Sequence, residues 1–477
     1  MTIQLIAAIL PLLVSPLIVG AAVAGDKPNI ILVMADDQGW GDVAYNGHPT
    51  LKTPNFDAAA ATGLRFDRFY AAAPVCSPTR ASIMTGRHPN RMGVFQWGFP
   101  IRPQEITIAE ALRTAGYATG HFGKWHLGSV RRASPVHPGH NGFDEWQSAP
   151  NFFDNDPILS HRGAAVQMRG ESSAVTVDAA LQWIAKQTRI GGPFLAVVWF
   201  GSPHNPHQAI EADRALYDDA PANRQHFYGE ITGMDRAFGK LRDALGTLGI
   251  RDNTLLWYCS DNGALPRVGS SGGHRGNKGN VYDGGLMVPA ILEWPAKIPH
   301  PRATEVRYNT CDIYPTLLDI VGVSPERQLP LDGVSLLPLI ENKVAARPRP
   351  MGFWDYPIGG IRTPSAVWMA ELLAAQQAGG DLEPYEASRR AAELPQPAYP
   401  LDQFPGHAAW IDGNWKLHRK AGANGQIVWE LYNLADDPAE ATDLSDTEAA
   451  RVAPMRKQLE AWLQSVVRSL NGEDYLK

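Results

Sequence analysis

The chain has 477 residues, with 43 lysines and arginines against 49 aspartates and glutamates, for a formal net charge of −6. That length exceeds one ordinary domain, so a large core or two domains are expected and a small disulfide- or metal-stapled module is excluded. The mildly negative charge offers no global attraction to nucleic acid or to an anionic membrane, so any anion must be held by a local site.

In chain order, residues 1–24 carry no charged side chain, run apolar from Leu5 and close on Ala22-Val23-Ala24. This predicts a secretory signal with export to the periplasm or beyond and no membrane attachment after cleavage; an uncleaved N-terminal anchor is the alternative. Asn29–Ala35 is a short, continuous apolar run, the mark of a buried parallel strand. Thr53-Pro54 opens a helix that closes near Gly63, with Thr as N-cap and Pro at the first position. Thr107 to Glu110 is a capping box for a helix ending at Gly116. Further strands are expected at Tyr117–Phe122, Phe194–Phe200, Thr254–Ser260 and Val288–Trp294, and helices at Val175–Thr188 and Gln225–Leu248. The alternation defines an α/β class. Prolines 338, 348 and 350 mark a boundary near 345, giving a large domain over 25–345 and a small α+β domain over 346–477. In the latter, strands are expected at Ala408–Arg419 and Gln426–Tyr432, a helix from Asp446 to about Leu470, and a helical surface insertion over Ser365–Leu394.

Ligands of open α/β sheets bind at the carboxyl ends of the strands. Here those ends deliver Asp36-Asp37, Lys124 and His126, His204, and Asp261-Asn262 to one edge. A single strand-terminal Asp or Asn often only caps a turn, but four such placements together define a site. Asp36, Asp37, Asp261 and Asn262 are oxygen donors without a thiolate beside them, a set suited to a hard cation, calcium ahead of magnesium. The lysines that accompany the histidines suit anion binding better than zinc.

The three cysteines are odd in number and too few for a disulfide framework. Cys259 sits in a strand-like run and reads as a buried inert thiol, a Cys259–Cys311 disulfide being the other possibility. Cys76 is different. Cys76-Ser77-Pro78-Thr79-Arg80 opens a helix, placing Cys76 at its N-terminus with Arg80 one turn on, where anions are stabilised. The pentapeptide and the continuation to Thr85-Gly86-Arg87 resemble the C-x-P-x-R signature of the formylglycine-dependent sulfatases, of the alkaline phosphatase superfamily. Asp36 to Gly39, Gly116 to Gly128, Asp261-Asn262-Gly263, Gly276 to Gly279, Asp332 to Leu336 and Trp429 to Leu434 extend the resemblance over nearly all of the mature chain.

The resemblance implies an alkaline-phosphatase-like large domain, with a central, mostly parallel sheet flanked by helices, and a C-terminal domain with an antiparallel sheet. It implies that a maturation enzyme oxidises Cys76 to formylglycine, whose hydrated aldehyde is the nucleophile. Asp36, Asp37, Asp261, Asn262 and modified residue 76 would hold calcium, while Arg80, Lys124, His126, His204 and Lys278 would line a sulfate pocket. In that scheme Asp261 is the candidate base for attack, His204 with Lys278 protonates the departing alcohol, and His126 takes the proton that restores the aldehyde. The substrate would be a sulfated carbohydrate. The rival readings are a phosphodiester or phosphonate hydrolase on the same scaffold, and a non-catalytic glycan-binding relative if Cys76 is unconverted. Trp97, Trp146 or Trp354 could stack on a sugar, and Asn205, His207, His161, Arg162, His274 and Arg275 are loop candidates for leaving-group contacts.

Overall fold

The computed structural model describes residues 27–422 and 425–476; the expected export signal lies outside them. The first strand, β1 (Asn29–Ala35), has its expected bounds. Ile30, Leu32 and Met34 face one core while Ile31, Val33 and Ala35 face another, so the strand is covered on both sides, as a continuous apolar run requires. There follow α1 (Pro54–Thr62), β2 (Leu64–Tyr70), α2 (Cys76–Thr85), α3 (Ile108–Thr114), β3 (Ala118–Lys124), β4 (Glu145–Ala149), and the hairpin of β5 (Ile158–His161) and β6 (Ala164–Gln167). The large sheet is completed around α4 (Ser172–Ile190), β7 (Phe194–Trp199), α5 (Ala222–Thr247), β8 (Thr254–Ser260), β9 (Met287–Glu293), β10 (Arg302–Thr304) and β11 (Tyr308–Asn309).

Its order is β10-β2-β9-β8-β1-β7-β3-β4-β5-β6, with β11 beside β2. β8, β1, β7, β3 and β4 are mutually parallel, so their carboxyl ends share one edge. β9 runs antiparallel to both neighbours, because the chain returns from β8 through a loop instead of a crossover helix. Thr107 and Glu110 form the expected capping box, Glu110 N–H donating to Thr107 Oγ1 at 3.2 Å and Thr107 N–H to Glu110 Oε2 at 2.8 Å. Thr53 precedes α1 but does not cap it: its Oγ1 accepts from Ala44 N–H at 2.9 Å. The Asp235 carboxylate, 180 residues away on α5, takes the first-turn N–H of Asn55 instead.

A second sheet of four antiparallel strands follows: β12 (Met351–Asp355), β13 (His407–Asp412), β14 (Trp415–Ala421) and β15 (Ile427–Asn433). The one strand expected over 408–419 is a hairpin, turned at Gly413 with φ 59°, a conformation glycine adopts without strain. The helix expected over 365–394 ends at Gln377, and its Met369 and Leu372 enter the main core, so the insertion is anchored and not merely superficial. One face of the small sheet, with Ala408, Trp410 and Leu417, packs on Leu459, Leu463 and Val466 of the C-terminal helix Ala449–Leu470. Its other face, with Phe353, Ala409 and Ile411, packs on Tyr70 and Met287 of the large sheet. No helix among the described residues is long and apolar enough to cross a membrane.

Candidate active site

The shared edge brings the expected polar residues together. Asp36 and Asp37 follow β1, Lys124 closes β3, Asp261 and Asn262 follow β8, and Cys76 is the first residue of α2. All are buried. Asp37 (φ 74°) and His126 (φ 53°) occupy the left-handed region, a local cost that persists where the surroundings over-determine the backbone.

Arg80 organises the floor. Its Nη2 and Nε donate to Asp261 Oδ2 at 2.7 and 3.1 Å, its Nη1 to the Lys124 carbonyl at 3.0 Å, and Nη2 lies 3.5 Å from Asp36 Oδ1. The guanidinium carbon sits 5.1 Å from the Trp199 ring centroid. Lys124 Nζ donates to Asp36 Oδ2 at 2.7 Å, and Lys278 Nζ lies 2.6 and 2.7 Å from the two Asp37 oxygens. Asn262 Nδ2 donates to Asp37 Oδ1 at 2.9 Å. Three carboxylates thus meet three cationic side chains, and the protein's own charges cancel.

Burial alone would raise the Asp37 pKa, but Lys278, His204 and Lys124 outweigh it and hold the carboxyl well below its usual range. Asp261 goes the other way, to about 6, because burial and the neighbouring Asp36 charge exceed the pull of Arg80. Burial also raises the Cys76 thiol, against Lys124 and Lys278. An unmodified Cys76 is therefore a neutral thiol and a poor nucleophile despite its helix N-terminus.

Asp36 Oδ1 and Asn262 Oδ1 are buried with no hydrogen-bond partner, and ligand atoms of Asp36, Cys76 and Asp261 lie within 4.8 Å of one another. A buried orphaned oxygen on Asp36 within that cluster, and a second on Asn262 beside Asp261, fit a hard divalent cation, which would supply the missing partner, although Asp37, expected among the ligands, is not part of the cluster. A thiolate is a soft ligand in such a set; an oxygen at residue 76 would make the donors uniformly hard.

The histidines occupy the outer rim. His204 Nδ1–H donates to the Asn205 carbonyl at 2.6 Å, which turns Nε2 toward Asp37 Oδ2, 3.6 Å away; the ring stacks on Phe152 at 4.3 Å. Burial lowers its pKa to about 3, aided by Lys278 and Lys124. Burial and then Lys124 take His126 well below its ordinary value; its Nδ1 has no partner, and its Nε2 lies 3.3 Å from Thr363 Oγ1. Asn151 Nδ2 donates to that same Oγ1 at 2.8 Å. Thr363, Asn151 and Phe152 are rim residues that sequence reasoning missed. Several loop candidates are engaged elsewhere: His161 with Glu145 at 2.9 Å, His274 with the Pro438 carbonyl at 2.9 Å, and Arg275 with Tyr432 and the Glu440 carbonyl. Cys259 and Cys311 are buried free thiols.

Such an edge, with a buried cysteine ringed by carboxylates and cations, is built to handle an anionic ester. The Sulfatase family model matches residues 28–323, and the chain belongs to the sulfatase family of the alkaline phosphatase superfamily. The N-acetylgalactosamine-6-sulfatase of Canis lupus familiaris is 33% identical over 374 residues, 69% of each chain. Arylsulfatase A of Homo sapiens is 32% identical over 462 residues, 87% of this chain and 88% of its own. Both names denote sulfuric ester hydrolases, and this chain is an enzyme of that class. Among solved structures, Ps i-CgsB in complex with k-i-k-neocarrahexaose matches with a TM-score of 0.76 at 26% identity, over 92% of this chain and 93% of that one. The phosphonate monoester hydrolase of Agrobacterium radiobacter shares the fold at a TM-score of 0.60 and 23% identity, over 92% and 96%.

Proposed function

We propose that this protein hydrolyses sulfate monoesters on a sulfated carbohydrate, with Cys76 converted to formylglycine by a separate maturation enzyme and calcium held by Asp36, Asp37, Asp261, Asn262 and residue 76. The observation that carries the reading is the setting of Cys76: a buried, neutral thiol at the head of α2, within 4.8 Å of two carboxylates, Asp36 and Asp261. Unmodified, it has no evident chemistry there. Hydrated formylglycine would supply the attacking oxygen, and calcium, when bound, would supply positive charge toward the sulfate oxygens.

The chain's own residues do the rest. Arg80, fixed by Asp261 and the Lys124 carbonyl, holds the floor of the site still beneath residue 76. Lys124 has used one of its three N–H donors on Asp36, so others remain for the sulfate oxygens, as preorganised stabilisation requires. Because the three carboxylates and three cationic groups cancel, a divalent cation leaves the site positive toward a monoanionic ester. Asp261 is the candidate base for the attacking hydroxyl. Neutral His126, with a bare ring nitrogen, accepts the proton that restores the aldehyde. His204 Nε2 and Lys278 Nζ stand together at Asp37 Oδ2; His204 with Lys278 would protonate the departing alcohol there. In this reading residues 25–345 form the catalytic domain and 346–477 the C-terminal subdomain, and the enzyme acts after export.

Peptide mass spectrometry at residue 76, with turnover of 4-nitrophenyl sulfate by wild type and Cys76→Ala, tests the proposal. Formylglycine in active protein and loss of turnover in the variant are expected; full activity in the alanine variant overturns it. A kcat/KM favouring an aryl phosphodiester or phosphonate over the sulfate would move the protein to the rival hydrolase reading.

A further inference from the structure

Beside the candidate active site lies a groove of about 800 Å³, within the range of roughly 300–1,000 Å³ typical of ligand clefts. Phe99, Trp368, Tyr385 and Tyr399 line it, each half-buried, with Trp368 and Tyr385 stacked at 4.4 Å. Two chain segments join this groove to the reaction centre. One is the strap 356–364: Thr363 lies against His126, while its neighbours Ile361 and Arg362 line the groove, one or two Cα steps of about 3.8 Å away. The other is the loop 95–99: Gly98 N–H donates to Ser77 Oγ at 2.8 Å, next to Cys76, while Phe95 and Phe99 line the groove.

Where strap and loop meet, Ile361 N–H donates to the Trp97 carbonyl at 2.9 Å. The Trp97 indole lies against Gly360, where a Cβ would come within 2.2 Å of the ring. Trp97 is 38% exposed, whereas Trp146 and Trp354, the other two tryptophans considered as sugar platforms, are buried at 3% and 2%. Arg362 is exposed and makes no ion pair among the described residues, while Arg390, also on the groove, is engaged by Glu386 and Glu393. Trp97 itself stands outside the groove lining, on the loop between Phe95 and Phe99, while Arg362 lies in it; an exposed aromatic face suits an apolar sugar face and an uncommitted guanidinium suits an oxyanion.

Resting on the sulfatase reading, we infer that this groove holds the saccharide units adjoining the one being desulfated, with Trp97, on the loop that joins the groove to the reaction centre, as a stacking platform and Arg362, in the groove wall, as the partner of a second sulfate or carboxylate. The enzyme is then specific for a glycan chain and not for an isolated monosaccharide sulfate. Neither residue belongs to the sulfate-holding set, so turnover of a small aryl sulfate reports on the reaction centre separately from the groove.

The test compares wild type, Trp97→Ala and Arg362→Ala on 4-nitrophenyl sulfate and on two size-graded series, chondroitin sulfate and carrageenan di-, tetra- and hexasaccharides. Binding of the same oligosaccharides to full-length Cys76→Ala is measured by calorimetry, and thermal melting checks folding. The expected result is affinity or kcat/KM that rises with length in one series, falls about tenfold for tetra- and hexasaccharides in either variant, and stays within twofold on the aryl sulfate; a tenfold change corresponds to one interface contact of ordinary strength. Length-independent binding and turnover in both series, or equal losses on aryl and glycan substrates, overturn the groove. Failure of wild type with converted residue 76 to cleave the aryl sulfate counts instead against the sulfatase reading, since the groove plays no part in that reaction.

Discussion

Acidification should weaken the seam between the two sheets through a buried histidine pair. His418 Nε2 lies 2.7 Å from Glu440 Oε1, and His407 Nε2 lies 2.8 Å from His418 Nδ1. The carboxylate fixes the tautomers: His418 donates from Nε2, so its Nδ1 accepts from His407. Protonating His418 would set two N–H groups against each other. Around the pair stand Lys416, bridged to Asp283 at 2.6 Å and Glu440 at 3.0 Å, and Lys420 with Glu430 and Tyr282. Burial, the partner histidine and Lys416 push His407 down to about 2; burial and Lys416 take His418 well below its ordinary value. In the unfolded chain both titrate near 6.5, so the unfolded state binds more protons below that pH. Stability is therefore complete above about 6.5 and falls as pH drops toward the folded values. At pH 5 the loss is about 2 kcal/mol for His418 and less for the partly exposed His407, roughly 3 kcal/mol together, at 1.36 kcal/mol per pH unit. Other buried neutral histidines, His88 and His121 among them, add to the same trend, so the diagnostic quantity is a difference. His418→Gln should flatten the pH dependence of urea-unfolding free energy between pH 7.5 and 5 by about 2 kcal/mol. Parallel curves for variant and wild type would refute the linkage.

Three further outcomes are expected. Lys124→Met, which removes a donor from the sulfate pocket, should lower kcat by roughly 10²–10⁴, read on 4-nitrophenyl sulfate, with the fold intact by circular dichroism. Calcium should raise the melting temperature of the chelated protein, and Asp36→Asn, which weakens a ligand, should shrink that shift; at 100 times its Kd a ligand of the native state adds about 2.7 kcal/mol. Arg91→Met leaves the half-buried Asp332, which Arg91 holds at 2.6 Å, with only the His88 N–H and Trp462 indole N–H as partners, and should cost about 3 kcal/mol or somewhat less by denaturant titration.

How far the sequence revealed the protein depended on whether information was local. β1 and β8 were legible because an apolar run ends abruptly in Asp36-Asp37 and in Asp261-Asn262, and strand-end chemistry follows from topology. β4 was not, because Glu145-Trp146-Gln147-Ser148-Ala149 is a strand without an apolar run. Had it been recognised, the same strand-end rule would have flagged Asn151, two residues beyond. Thr363 leaves no comparable trace: it lies in a strap with Pro357, Gly359, Gly360 and Pro364, and only the return of that strap across the large sheet brings its hydroxyl to His126. The replacement of Thr53 by Asp235 as the partner of the α1 first turn is likewise a long-range event that local capping rules do not capture.

The same division separates the two ends of the proposed substrate. In the proposed reading the sulfate end would be held by residues at strand termini and at the head of α2, where a few adjacent positions in the chain specify the geometry. The leaving-group end would be bounded by Asn151, Trp97 and the strap 356–364, segments far apart in the chain, the strap following the first strand of the small sheet, which packs on Tyr70 and Met287. Residues that hold the sulfate are therefore recognisable as motifs, and those facing the rest of the substrate are not. Trp97 and Trp354 are alike in sequence, yet packing leaves one at the rim and buries the other. On that reading, substitutions in the strap or in loop 95–99 would redirect the enzyme toward a different glycan without changing Asp36, Cys76, Lys124 or Asp261, a physical reason for specificity to diverge faster than chemistry on this scaffold.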